Sequence, residues 1–185
     1  MKPKVIFTVF LSMFILLSCK DKEAQIENND VVPVEVVQKN SVSVTLSAVV
    51  KKDDVFQVFY KNEESEAFVE AKSISVDLKG NDNEQNIVFN LPEDEYPNYI
   101  RLDFGVNKEQ EPIEIKNLTF NFYEKSFQIK GADFSNYFYS NDFIEIKDKT
   151  TGIIKPIVAK DGSYDPMSAS ADGLRKQLEE LVQQP

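Results

Sequence analysis

Residues 41–50 constrain the fold more tightly than any other part of the chain. Val42, Val44, Leu46, Ala48 and Val50 fall on one parity, and Ser41, Ser43, Thr45 and Ser47 on the other. A period of two sends successive side chains to opposite faces of a strand, so this segment reads as a strand with one buried face. The pattern returns along the chain. Phe56-Gln57-Val58-Phe59-Tyr60 is one such run, and Ile74, Val76 and Leu78 alternate with Ser73, Ser75 and Asp77 in another. Ile87, Phe89 and Leu91 form a third, stopped by Pro92. Ile100, Leu102 and Phe104 alternate with Tyr99, Arg101 and Asp103 until Gly105.

Ile113 and Ile115 share one phase, whereas Leu118, Phe120 and Phe122 share the opposite one. One extra residue shifts parity in this way, so the slip near Lys116-Asn117 predicts a β-bulge. Further strands are expected at 126–130, 143–147 and 153–159. Lys79-Gly80-Asn81-Asp82, Lys130-Gly131, Thr151-Gly152 and Asp161-Gly162 supply turn chemistry between them. About nine to eleven short strands with no long helix among them predict an all-β antiparallel sandwich. A single sheet that wide would leave an apolar face or a long edge open, and two packed sheets remove that problem.

The tail has a different period. Leu174, Leu178 and Leu181 stand at i, i+4 and i+7 and make one apolar stripe on a short C-terminal α-helix running to about Gln183, with Asp172 as its expected cap. The helix is expected to pack on the sandwich; docking a partner is the alternative.

The beginning of the chain is organised for export. Lys2 and Lys4 precede a 13-residue apolar run, Val5 to Leu17, interrupted only by Thr8 and Ser12. A bilayer span needs ~20 such residues, so the run fits the core of a secretory signal. Leu16-Leu17-Ser18-Cys19 follows and resembles the lipobox of bacterial lipoproteins: an aliphatic residue three places before the cysteine, a small one just before it. Leu17 is bulkier than is usual for the family. The resemblance implies that Cys19 becomes the lipidated first residue of the mature protein, carrying several acyl chains. One chain contributes only ~0.8 kcal/mol per buried CH₂ and holds a protein marginally, so several are needed. Cys19 is the only cysteine and has no partner for an intramolecular disulfide. The expected organisation is a signal peptide over 1–18, a lipid anchor and polar tether over 19–30, the sandwich over 31–167, and a helical tail over 168–185. Lys20-Asp21-Lys22-Glu23 resembles charged export signals of surface lipoproteins, which implies the outer membrane of a bacterial envelope.

Charge narrows the partners. The chain carries a formal -10, and removal of Lys2 and Lys4 with the leader makes this -12. An acidic body repels nucleic acid and anionic lipid surfaces alike, so membrane attachment is expected through the lipid and not through a basic patch. Histidine is absent. Ser-His-Asp and Cys-His catalysis are thereby excluded within this chain, and the commonest metal ligand is missing. No glycine-rich phosphate loop occurs, and no cofactor is expected. Carboxylates remain. The runs Asp53-Asp54, Glu63-Glu64 and Glu93-Asp94-Glu95 read as solvated charge; a calcium ion on the hard oxygens of Asp53 and Asp54 is the sharper alternative.

Residues 134–143 hold the densest aromatic stretch. If they form a strand, Tyr137 and Tyr139 share a face opposite Phe138. Flat aromatic rings beside Arg and Asp suit a sugar, which has an apolar C–H face and a rim of hydroxyls. Arg101 and Asp103 also share a strand face. Tyr137, Tyr139, Arg101 and Asp103 are therefore the candidate ligand contacts, against the plainer reading in which the tyrosines pack under a loop and the Arg–Asp pair is an exposed ion pair.

The segments Asp53-Asp54-Val55-Phe56-Gln57-Val58-Phe59-Tyr60, Val88-Phe89-Asn90-Leu91-Pro92, Ile100-Arg101-Leu102-Asp103 and Ile113-Glu114-Ile115 look like an accessory jelly-roll domain found beside cell-surface polysaccharide glycosyltransferases and in small lipoproteins of polysaccharide loci. The likeness spans roughly residues 41–160 and implies a sugar-related, non-catalytic sandwich. The expected function is a membrane-anchored envelope lipoprotein, not an enzyme, that binds glycan or assists a polysaccharide system. An assembly lipoprotein that docks an envelope protein is the alternative.

Overall fold

The structure is a computed structural model, and it describes residues 40–183. The leader, Cys19, the tether and the stretch from Val31 lie outside the described residues. The alternating segments fold as expected into two antiparallel sheets. In chain order the strands are β1 (Ser43–Val49), β2 (Asp54–Lys61), β3 (Ser73–Leu78), β4 (Gln85–Asn90), β5 (Tyr99–Asp103), β6 (Ile113–Phe122), β7 (Lys125–Lys130), β8 (Phe138–Ser140), β9 (Ile144–Glu145), β10 (Ile153–Pro156) and β11 (Met167–Ser170). Two helices complete the set, α1 (Phe134–Tyr137) and α2 (Asp172–Val182). None of the described helices is long and apolar enough to cross a membrane.

The first sheet has the order β4-β1-β6-β10-β9, with β7 also paired to β6; the second has the order β3-β2-β5-β11-β8. The chain passes back and forth between the sheets, a jelly-roll-like path. Only the β2–β3, β6–β7 and β9–β10 connections stay within one sheet. Alternation then becomes burial. Val44, Leu46 and Ala48 of β1 are fully buried while Ser43, Thr45 and Ser47 face outward. Between the sheets Phe56, Phe89, Phe104, Phe120 and Phe134 are shut off from water. Phe56 meets Phe104 edge-on with ring centroids 5.7 Å apart, and Phe134 stacks on Phe138 at 4.7 Å. Such rings supply most of the core's apolar area, and truncating one costs ~3–5 kcal/mol.

The phase slip in β6 is a bulge. Ser47 pairs with Asn117 but Ala48 pairs with Ile115, so Lys116 is the extra residue. The slip keeps Ile113 and Ile115 on the same inner face as Leu118, Phe120 and Phe122.

Three expectations for the C-terminal part change. Residues 134–143 begin not as a strand but as a single helical turn, α1, that ends at Tyr137. Met167–Ser170 is a strand that no long alternation marks, and it carries the second sheet past residue 167. Asp172 lies in the first turn of α2 and not at its cap; Ala171 holds the cap position without a side-chain bond. A carboxylate there still favours the positive end of the helix dipole. The leucine stripe behaves as expected: Leu174, Leu178 and Leu181 are buried in the common core.

Candidate functional site

The outer faces of the two sheets differ in kind. On the first, Asn90, Ser43, Asn121 and Ser126 form one cross-strand row, and Val88, Thr45, Thr119 and Gln128 the next. Short amides and hydroxyls bond one another there, as in Ser47 to Asn86 at 2.6 Å and Gln128 to Thr119 at 3.1 Å. These rows carry no aromatic side chain.

On the second sheet, register brings Ser73, Phe59, Arg101, Ala169 and Tyr139 into one row from edge to edge. Ser75, Gln57, Asp103 and Met167 form the row beside it. Arg101 and Asp103 lock in a bidentate pair, Nε to Oδ1 and Nη2 to Oδ2, both 2.8 Å. Their side chains are only 21% and 19% exposed, which removes the plainer reading of a solvated ion pair. The guanidinium lies 3.9 Å from the centroid of the Phe59 ring, a cation–π stack that explains why Phe59 is 5% exposed on an outer face. The Phe68 ring is a second neighbour, its centroid 5.5 Å from the guanidinium. Burial pushes the Asp103 carboxyl above its usual range and nearby Asp165 and Glu70 add to the rise, while Arg101 opposes it.

The segment after β2 walls this platform. Lys61 donates to the carbonyls of Glu64 and Glu66, both at 2.7 Å, with its ammonium between the rings of Phe68 and Tyr99. Gln57 bonds Glu70 and Ser73, each at 2.8 Å. Across the row from Arg101, the Tyr139 ring is 70% exposed. Ala169, a small side chain, lies between them. Strands spaced ~4.8 Å apart put Tyr139 and Arg101 about 10 Å from each other.

Structure thus brings together Tyr139, Arg101 and Asp103 but sets Tyr137 apart. Tyr137 ends α1, and its ring packs edge-on against Phe127 at 5.6 Å and beside Gly173, towards the other sheet. The expected shared face of Tyr137 and Tyr139 does not form, because a helical turn replaces the two-residue period. Phe59 and Gln57 also belong to the platform, although they are not among the sequence candidates. Their signal was present: a strand that buries Phe56, Val58 and Tyr60 must turn Phe59 outward. Ala169 and Met167 gave no signal, since only pairing with β5 and β8 places them.

Asp53 precedes β2 and Asp54 opens it, and the two side chains take separate partners. Asp54 is buried and accepts N–H groups from Val106 at 2.8 Å, Asn107 at 3.1 Å and Gln110 at 2.9 Å. Asp53 pairs with Lys79 at 2.6 Å and the Gly80 amide at 2.9 Å; those bonds hold its carboxyl below the ordinary value. Both carboxylates face N–H donors, the wrong polarity of neighbour for a calcium site, although a cleft of about 490 Å³ opens beside them. No group of three or more acidic, Cys or His side chains placed to hold a metal occurs among the described residues. The apolar stripe of α2 packs into the core as expected, so it is not open to the alternative, docking of a partner. Comparison with protein-family models, with curated proteins and with solved structures finds no match to this chain.

Proposed function

We propose that this chain is a lipid-anchored protein of the bacterial envelope, assisting a cell-surface polysaccharide system, whose sandwich binds glycan without catalysis. The row Arg101–Ala169–Tyr139 on the second sheet carries the reading. An exposed aromatic ring offers a stacking surface for the C–H face of a sugar, and polar groups two strands away meet its hydroxyl rim. A half-buried, ring-stacked ion pair is already held in place, so little side-chain freedom is lost on binding. Both Asp103 oxygens accept hydrogen bonds from Arg101, which leaves that carboxyl no proton to deliver; glycoside hydrolysis needs a free acid facing a second carboxyl across a cleft.

Attachment rests on the Leu16-Leu17-Ser18-Cys19 sequence; at a net -12 the mature chain has no attraction to an anionic lipid surface, so its hold on the membrane is proposed to be the lipid. The outer membrane is the proposed location.

Two measurements test the two halves. Retention on immobilised glycans should drop at least about tenfold in Tyr139→Ala and be unchanged in Tyr137→Ala; equal retention by wild type and Tyr139→Ala removes the platform. Mass spectrometry of native protein should find residues 1–18 gone and Cys19 carrying diacylglycerol; an intact leader with a free thiol removes the anchor.

A further inference from the structure

The platform contains an arginine, and an arginine beside an aromatic ring usually suggests an anionic ligand such as a uronic acid or a sulfated sugar. The geometry points to the opposite: we infer that this face takes neutral glycans and turns anionic ones away, because Asp103 neutralises Arg101 within the sheet. The inference rests on the glycan-binding reading above and names the ligand class of the same site.

Charge on the strands of the second sheet is accounted for residue by residue. Its cations are Lys61 and Arg101. Lys61 is 9% exposed, and its ammonium is engaged by two backbone carbonyls and two rings. Arg101 points two of its donors in a fixed fork at Asp103, the arrangement that an incoming carboxylate or sulfate would itself need. Two further carboxylates, Glu70 and Asp165, lie close enough to Asp103 to act on it electrostatically. An anion reaching the row beside Ala169 therefore meets a cation that is already paired, with acidic neighbours around it. To take the bidentate fork it would have to displace Asp103 and leave a half-buried carboxylate unpaired; at the N–H groups that Asp103 leaves open it meets a guanidinium whose charge is already offset, with Glu70 and Asp165 repelling it. A neutral sugar meets no such barrier. It can stack on Tyr139 and take hydrogen bonds from the guanidinium N–H groups that Asp103 does not occupy.

The test uses the mature chain in titration calorimetry against glycans of matched length. Cellohexaose and mannohexaose are the neutral probes; hexagalacturonate and a hyaluronan hexasaccharide are the anionic ones. Wild type should prefer at least one neutral probe over both anionic probes by about tenfold or more, with little change between about 0.05 and about 0.5 M salt, a range that spans weak and strong screening. Asp103→Asn frees the guanidinium and should raise affinity for the anionic probes about fivefold or more, the gain fading in high salt. Asp165→Asn, at an exposed position, should give a smaller gain in the same direction and guards against misfolding of the first variant. An anionic probe bound as tightly as the neutral ones by wild type overturns the inference and leaves the platform standing. So does failure of both variants, each folded by circular dichroism, to gain affinity for anions. Binding of neither class overturns the inference together with the reading beneath it.

Discussion

Asp54 ties the ends of β2 and β5 together, and the residue beside its carboxylate has to be glycine. Gly105 has φ +97°, and a Cβ there would lie 2.3 Å from the Asp54 carboxyl group. Gly105→Ala should cost at least about 2 kcal/mol, the sum of a left-handed backbone and displaced hydrogen bonds; a urea midpoint within error of wild type would contradict this. Tyr164 is the converse case. Its hydroxyl is buried without a hydrogen-bond partner among the described residues, and burial pushes its pKa up to about 12. A raised folded pKa contributes stability below the ordinary value of 10.0, which is lost as pH climbs through about 12. Tyr164→Phe should raise stability at pH 7 by about 1 kcal/mol and flatten the alkaline decline; a lower melting temperature in the variant would show that the hydroxyl does have a partner.

At the scale of elements, β6 organises the first sheet. One edge pairs with β1 throughout; the other is shared, β10 taking Ile113–Glu114 and β7 taking Asn117–Phe122. The bulge sits where the two neighbours change over, and Gly131 enters there with its Cα so close that a Cβ would come 1.8 Å from the Ile115 carbonyl oxygen. Deleting Lys116, the extra residue, should leave one unbroken alternation from Ile113 to Phe122 and a folded protein, whereas deleting Thr119 should turn Phe120 and Phe122 out of the core and abolish folding; circular dichroism and denaturant melts of the two variants separate these outcomes. The bulge was legible because apolar residues change parity around it. In α2 the period was equally legible, and Leu178→Ala should cost ~2–5 kcal/mol because its side chain is fully buried. The turn at Tyr137 was not legible. Aromatic residues suit strands and also pack helical turns, and nothing within 134–143 separates the two; contacts with β7 and α2 decide it.

The whole molecule is acidic, and its response to acid follows from several carboxylates at once. Hydrogen bonds hold Asp53, Glu66, Glu111, Asp148 and Asp161 below their ordinary values of 3.8 or 4.5. A depressed folded pKa contributes stability above the unfolded value, lost as pH falls through the folded one. Asp103 works the other way: its raised pKa contributes stability that is present in acid and lost as pH rises through the folded value. Thermal melts should therefore hold steady from neutrality to about pH 5 and fall below about 4.5, as the five depressed groups outnumber the one that is raised. A melting temperature that climbs through that range would reverse the sign assigned to these groups.

By itself the sequence determined the fold class, the bulge in β6 and the burial of the tail helix, because each is a local period set against one hydrophobic core. It also put Arg101 and Asp103 on one strand face, two residues apart. Only tertiary structure decided that Tyr139 joins them while Tyr137 does not, and that Phe59 lies beneath the guanidinium. Those relations pass through β2, β8 and β11, whose residues stand far from Arg101 in the chain, and cross-strand register is fixed by the packing of whole sheets and not by any one segment's pattern.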